Sequence, residues 1–272
     1  MQNLYCMVIF MSIGISTACF YPQLTENSFL KIGKNGGGVT EIFFNSQSEL
    51  EKDFIDNLYE IKQKYGISVK SIHPFESFGE SYHLFSEYER RFYDGVKDLE
   101  RYFYAAKKLG ADFFVMHGLK KPGKIEDCEY FKRFEYIYDV LNEHGITLLQ
   151  ENVVDFRSQS PEFLLSMRDY MGDKFKMVLD IKQAHLAGFN AMDFAEKLSN
   201  SIVHFHISDY SDEKSCITPL KGKFDFNQLF NQMSKKGYNG DYIIELYKNS
   251  FNNESEIFNA KSLLTDMLNL NY

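Results

Sequence analysis

The chain has 272 residues and 44% hydrophobic content, enough to bury the core of one large domain and better matched to a single α/β barrel than to two domains. Lys and Arg number 30 against 38 Asp and Glu, a formal charge of −8, so the overall field repels phosphate backbones and argues against nucleic acid as a partner. Cys6, Cys19, Cys128 and Cys216 show no CxxC spacing, which argues against a disulfide framework or a thiolate zinc site and suits buried thiols in a reducing compartment.

The first apolar stretch, Leu4 to Phe20, ends in Ser16-Thr17-Ala18-Cys19, loosely like a lipoprotein cleavage site. A secretory segment carries a basic leading region, yet the first Lys or Arg is Lys31. Cleavage before Cys19 would also remove Ile13–Thr17, the one candidate for a first strand, and an opened barrel exposes an unpaired edge. The stretch is therefore read as strand one of a cytoplasmic protein that keeps Cys19. Residues 1–10 are either an N-terminal extension or follow from a start upstream of Met11.

From about residue 38, short apolar runs alternate with longer amphipathic stretches. The further strands are expected at Val39–Phe43, Ser68–Ile72, Phe113–Met116, Ile146–Gln150, Lys176–Leu179, Val203–Ile207 and Tyr242–Leu246. Helices are expected at Glu49–Tyr65, Tyr88–Leu109, Glu129–His144, Pro161–Tyr170, Ala191–Leu198, Phe226–Lys236 and Glu254–Leu268, with Gly66, Gly110, Gly145 and Gly240 at C-cap positions. Eight such units without a linker predict an α/β fold, a single-domain (β/α)8 TIM barrel over residues 1–272. Gly36-Gly37-Gly38 precedes a strand and is a loop, not a phosphate cradle.

Active-site groups of such a barrel stand at the C-terminal ends of its strands. Seven of the eight carry an ionisable residue there: Glu41, His73, His117, Glu151, Asp180, His206 and Glu245. Successive members lie about one strand–helix unit apart, ~30 residues or more, so they should ring one mouth. Buried carboxylates in runs such as LLQEN and YIIEL need partners, and a cation satisfies several at once. Glu151, Asp180, His206 and Glu245 form a mixed oxygen and nitrogen set suited to one divalent ion, Mn²⁺, Mg²⁺, Co²⁺ or Zn²⁺. Lys120-Lys121, just past His117, is read as a solvated loop pair, and His204 is expected to face away from His206 and pack on the helices.

These residues lie in stretches that resemble the xylose isomerase-like barrel superfamily, in its sugar phosphate isomerase/epimerase branch. The likeness is carried by EIFFN (Glu41 to Asn45), LLQENV (Leu148 to Val153), LDIKQAHLAG (Leu179 to Gly188), HFHISDY (His204 to Tyr210), GKFDF (Gly222 to Phe226) and GYNGDYIIELY (Gly237 to Tyr247). The resemblance implies one divalent ion on Glu151, Asp180, His206 and Glu245, with the two glutamates also exchanging the substrate proton. Where relatives place a substrate-binding His three residues after the metal Asp, this chain has Gln183, and the nearest His is His185. Before GKFDF it has Pro219-Leu220-Lys221 in place of a more open Gly-rich turn.

Independently of the family, an ion chelated by an α-hydroxy carbonyl acidifies the intervening C–H and stabilises an enediolate. Two flanking carboxylates can return the proton to the other face, an epimerisation, or to the neighbouring carbon, an aldose–ketose isomerisation. A small sugar, ketose or sugar phosphate is the expected substrate, met by His73, His117, His185 and Glu41. Neither nucleic acid nor membrane is expected as a partner, and a homo-oligomer is compatible with the sequence. The competing readings are a metal-dependent phosphodiesterase of the apurinic-site endonuclease type, a polyol dehydratase or lyase, and a non-catalytic sugar-binding barrel. The phosphodiesterases need further ligands after the seventh strand, and no His follows His206.

Overall fold

The computed structural model describes residues 11–75 and 77–271, so the expected extension at residues 1–10, with Cys6, lies outside the described residues. Eight parallel strands close into a barrel in sequence order: β1 (Ile13–Ser16), β2 (Val39–Phe43), β3 (Ser68–His73), β4 (Phe113–Met116), β5 (Thr147–Glu151), β6 (Met177–Asp180), β7 (Ile202–Ile207) and β8 (Tyr242–Ile244). Closure is made by β1, which pairs with β2 through Ile15 and Thr40 and with β8 through Ile13 and Tyr242. The predicted first strand is therefore a barrel stave, and no edge remains open.

Helices cover the outer face: α1 (Thr25–Lys34), α2 (Lys52–Tyr65), α3 (Ser77–His83), α4 (Glu89–Asp98), α5 (Glu100–Leu109), α6 (Asp127–Asn142), α7 (Pro161–Met171), α8 (Ile181–Leu186), α9 (Ala191–Lys197), α10 (Phe226–Lys235) and α11 (Ser255–Asn269). The segment expected as one helix over Tyr88–Leu109 is two, meeting at Leu99. Residues Gln47–Leu50 form a separate 3-10 turn before α2, and α1, α3 and α8 are additional to the expected set. Gly66 and Gly110 end α2 and α5 in the left-handed conformation, as a C-cap glycine does. Gly240 caps no helix: α10 ends at Lys235, and Gly237, at φ +76°, makes the turn that follows. No helix among the described residues is long and apolar enough to cross a membrane.

Strand alternation sorts the barrel wall. Gln150, Leu179 and Phe205 point outward toward the helices, where Gln150 accepts a hydrogen bond from the Tyr130 hydroxyl and donates to the His117 carbonyl. Val115, Leu149 and Val178 form a separate buried cluster, each two residues before an ionisable group at the mouth, His117, Glu151 and Asp180. Interior space is tight enough that a Cβ on Gly14 would meet the Val39 carbonyl at 2.6 Å and Ile243 at 2.5 Å. Apolar side chains thus fill the barrel beneath the mouth on the side of β4, β5 and β6.

Candidate active site

Four residues from the last four strands converge. Glu151 ends β5, Asp180 ends β6 and N-caps α8, His206 lies in β7, and Glu245 follows β8 directly. One ligand atom from each lies within 4.8 Å of the others. From His206 Nδ1 the distances are 3.3 Å to Glu151 Oε1, 3.5 Å to Glu245 Oε2 and 4.0 Å to Asp180 Oδ2.

The imidazole is aimed from below. Its Nε2 lies 2.9 Å from Glu41 Oε2, which also accepts the Ser71 hydroxyl at 2.7 Å. With Nε2–H donated to Glu41, Nδ1 is the nitrogen presented to the three carboxylates, and such a carboxylate–imidazole pair fixes the ligand orientation. Glu41 is completely buried, level with Ser71 on β3 and two residues below the Phe43–His73 pair. The substrate contact expected of Glu41 does not follow from this position, since the carboxylate lies beneath the site. His204 corrects a second expectation: residues two apart share a strand face, so it points into the barrel under His206, its Nε2 3.2 Å from Ser71 Oγ. Burial, with the charge of His206, pushes its pKa down to about 3, so it is neutral.

A second group shares Glu151. His117 Nε2 stands 2.8 Å and His73 Nε2 3.4 Å from Glu151 Oε2, and the three together form another ligand set. Burial alone would raise the Glu151 carboxyl, but His117, His206 and His73 outweigh it and hold Glu151 well below the usual carboxylate range. His73 pays for burial through the same contacts, with Glu151 and Glu41 raising it to about 9. His206 is likewise carried well above its ordinary value by Glu41, Glu245 and Glu151 against the effect of burial. Asp180 moves the other way: burial, with the charges of Glu245 and Glu151 and despite Lys182, brings it up to about 7.

His185 is not brought into this cluster. It is half-buried on α8 and stacks on Tyr210, with ring centroids 3.9 Å apart and planes 7° from parallel. Gln183 spends its side chain on the fold, its Oε1 accepting from the Val154 amide at 3.1 Å. Lys182, which the strand pattern gave no reason to single out, enters the site instead. Its buried ammonium lies 2.8 Å from Glu245 Oε2 and 3.1 Å from Asp180 Oδ2. Glu80 was also missed: it is buried, with Oε2 accepting from the Gly118 amide at 2.7 Å and Oε1 without a partner.

The donor set fits a hard or borderline divalent ion. Three carboxylates and one imidazole are the donors such ions take, and Asp180 Oδ2 is buried without a hydrogen bond, the Lys182 ammonium standing at an unfavourable angle. Beside Glu245 a cavity of about 380 Å³ opens at the mouth, lined by Tyr21, Phe43, Asn45, Phe75 and Tyr247 among the described residues.

Comparison with known proteins agrees with this architecture. The uncharacterized protein Rv0498 of Mycobacterium tuberculosis is 24% identical over 280 residues, covering 92% of this chain and 95% of that protein. A D-tagatose 3-epimerase-like protein is similar in structure, with a TM-score of 0.78 at 23% identity, covering 96% of this chain and 98% of its own. The IolI protein with a binding zinc atom gives 0.75 at 18% identity, with coverage of 96% and 99%. The AP endonuclease, family 2, of Brucella melitensis gives 0.75 at 16% identity, with coverage of 94% and 99%. At these identities the solved structures speak for the fold alone. The family model described as xylose isomerase-like TIM barrel matches residues 33–266, and the chain belongs to that family.

Proposed function

We propose that this protein is a divalent-metal-dependent isomerase or epimerase of a small sugar or ketose, with Glu151 and Glu245 as the groups that move the proton. The observation that carries the reading is the convergence of Glu151, Asp180, His206 and Glu245 on one point, with the two glutamates at its two ends. Asp180 and His206 come from the two strands between them. A bound ion, Mn²⁺, Mg²⁺, Co²⁺ or Zn²⁺, would polarise a substrate carbonyl as a Lewis acid.

The residues themselves supply the rest. Glu151 and Glu245 both lie below their ordinary pKa, Glu245 through Lys182 and His206 against burial, so each is ionised and able to accept a proton. One takes the proton from the carbon beside the carbonyl and the other, or the same one, returns it. His117 and His73 hold Glu151 in place, and His117, the more exposed of the two, is the one proposed to meet substrate hydroxyls. Tyr21, Phe43, Phe75 and Tyr247 offer flat apolar faces for the C–H side of a sugar. The IolI protein with its zinc atom and the D-tagatose 3-epimerase-like protein are the related precedents.

One observation favours a second reading. The Glu151-sharing set His73, His117 and Glu151 could hold a second ion, as a phosphodiesterase of the apurinic-site endonuclease type would require. The formal charge of −8 and the absence of any His after His206 weigh against it. Residence in the cytoplasm with Cys19 intact belongs to the main reading, since the Cys19 thiol is buried in the turn after β1 and donates to the Ile244 carbonyl of β8 at 3.3 Å. Elemental analysis of the purified protein, followed by turnover assays on ketoses and ketose phosphates, tests the proposal. One equivalent of a divalent ion and turnover of a ketose are expected. A metal-free protein with phosphodiesterase activity, or none, would overturn it.

A further inference from the structure

Lys182 is a fully formed cation inside the cluster that is to receive another. Its ammonium contacts Glu245 Oε2 and Asp180 Oδ2, the same two oxygens that stand 3.5 and 4.0 Å from His206 Nδ1. A buried lysine is retained only when its charge is matched, and here the match comes entirely from two of the four residues that would ligate an ion. Three carboxylates with a divalent ion leave one negative charge, and Lys182 brings the sum to zero. The ammonium also stands 4.7 Å from the centre of the half-exposed Tyr247 ring, at the mouth. The ring face therefore meets the ammonium on the side toward the mouth while the carboxylates hold it from within.

We propose that Lys182 is the resident cation of the centre: its ammonium occupies the Asp180–Glu245 edge until a divalent ion takes those oxygens, and it thereby limits how tightly the ion is held. The inference rests on the metal reading above. It gives the site a role in the metal-free protein, where Lys182 keeps the carboxylates compensated and the barrel mouth formed. When the ion enters, Lys182 yields the shared oxygens and turns its charge toward Tyr247 and the sugar cavity.

The test is titration of the metal-free protein with Mn²⁺ by calorimetry, alongside Lys182→Met, which keeps the length of the stem without its charge, and Lys182→Arg, which keeps the charge. Loss of a cationic charge at contact distance from two of the ligand oxygens is expected to tighten Mn²⁺ binding about tenfold or more in Lys182→Met, with Lys182→Arg close to the native value. The metal-free Lys182→Met protein should melt at a lower temperature than native protein and recover on adding Mn²⁺. Should it not fold without metal, refolding with Mn²⁺ and competition against a chelator give the same affinity. Equal or weaker Mn²⁺ binding by Lys182→Met overturns this inference and leaves the metal reading intact. Binding by neither protein overturns both.

Discussion

Replacing Glu41 by alanine removes a residue outside the proposed Glu151, Asp180, His206 and Glu245 ligand set, yet under that proposal it should weaken ion binding. The Glu41 carboxylate holds His206 Nε2 at 2.9 Å and is itself held by Ser71 at 2.7 Å, all inside the barrel. Without it the imidazole loses the partner that selects its tautomer and fixes its plane. Loss of such a supporting group costs ~10–100-fold in metal affinity, or about 1.4–2.7 kcal/mol. Glu41→Gln keeps an acceptor oxygen but not the charge and should fall near the tenfold end. Calorimetric Mn²⁺ titration of each variant, with circular dichroism to verify folding, reads this directly. A folded Glu41→Ala protein that binds Mn²⁺ within about twofold of native, well short of that range, would refute the assigned support of His206.

Glu151→Gln and Glu245→Gln should each lower kcat by ~10²–10⁴-fold, the range for loss of a proton-transfer group, whereas His185→Ala, stacked on Tyr210 away from the ligands, should raise KM with little change in kcat. Both Glu variants retaining metal and near-normal turnover would show that another group moves the proton. Metal uptake should release at least one proton per ion near neutral pH, because His206 holds its extra proton until an ion takes Nδ1 and Asp180, raised to about 7, is partly protonated there; a binding heat independent of buffer ionisation enthalpy would contradict this. Glu80 supplies a pH test of stability: burial raises its carboxyl from 4.5 to about 7, so the unfolded chain loses the proton first. Its stabilising contribution, full below pH 4.5, is lost as pH rises through about 7, so between pH 5 and 8 native protein should lose about 2–3 kcal/mol that Glu80→Gln keeps. Urea denaturation at both pH values measures it, and parallel pH profiles would rule it out.

The barrel and the four converging residues were legible because a strand repeats every two residues and a strand–helix unit recurs around the ring, so position in the chain translates into position around the mouth. Depth along the barrel axis did not translate. Glu41 sits below the mouth because it lies mid-strand, two residues before the Phe43–His73 pair, and how far each strand reaches toward the mouth is set by paired backbones, not by one strand's pattern. Lys182 was hidden for a different reason: it enters from α8, where strand alternation does not apply, and its place two residues after Asp180 was the one available signal. His204 was misread against a rule the sequence itself obeys, since two residues on one strand separated by one share a face.

Proton transfer by Glu151 and Glu245 is tested most directly by solvent exchange. Metal-loaded native protein is incubated with a ketose in deuterated water, and deuterium at the carbon beside the carbonyl is followed by proton nuclear magnetic resonance. Native protein should introduce deuterium there even where net conversion is slow, and Glu151→Gln should lose the exchange while keeping the sugar bound. No deuterium with any ketose that binds the metal-loaded protein, or unchanged exchange in both Glu151→Gln and Glu245→Gln, would contradict the proposed chemistry.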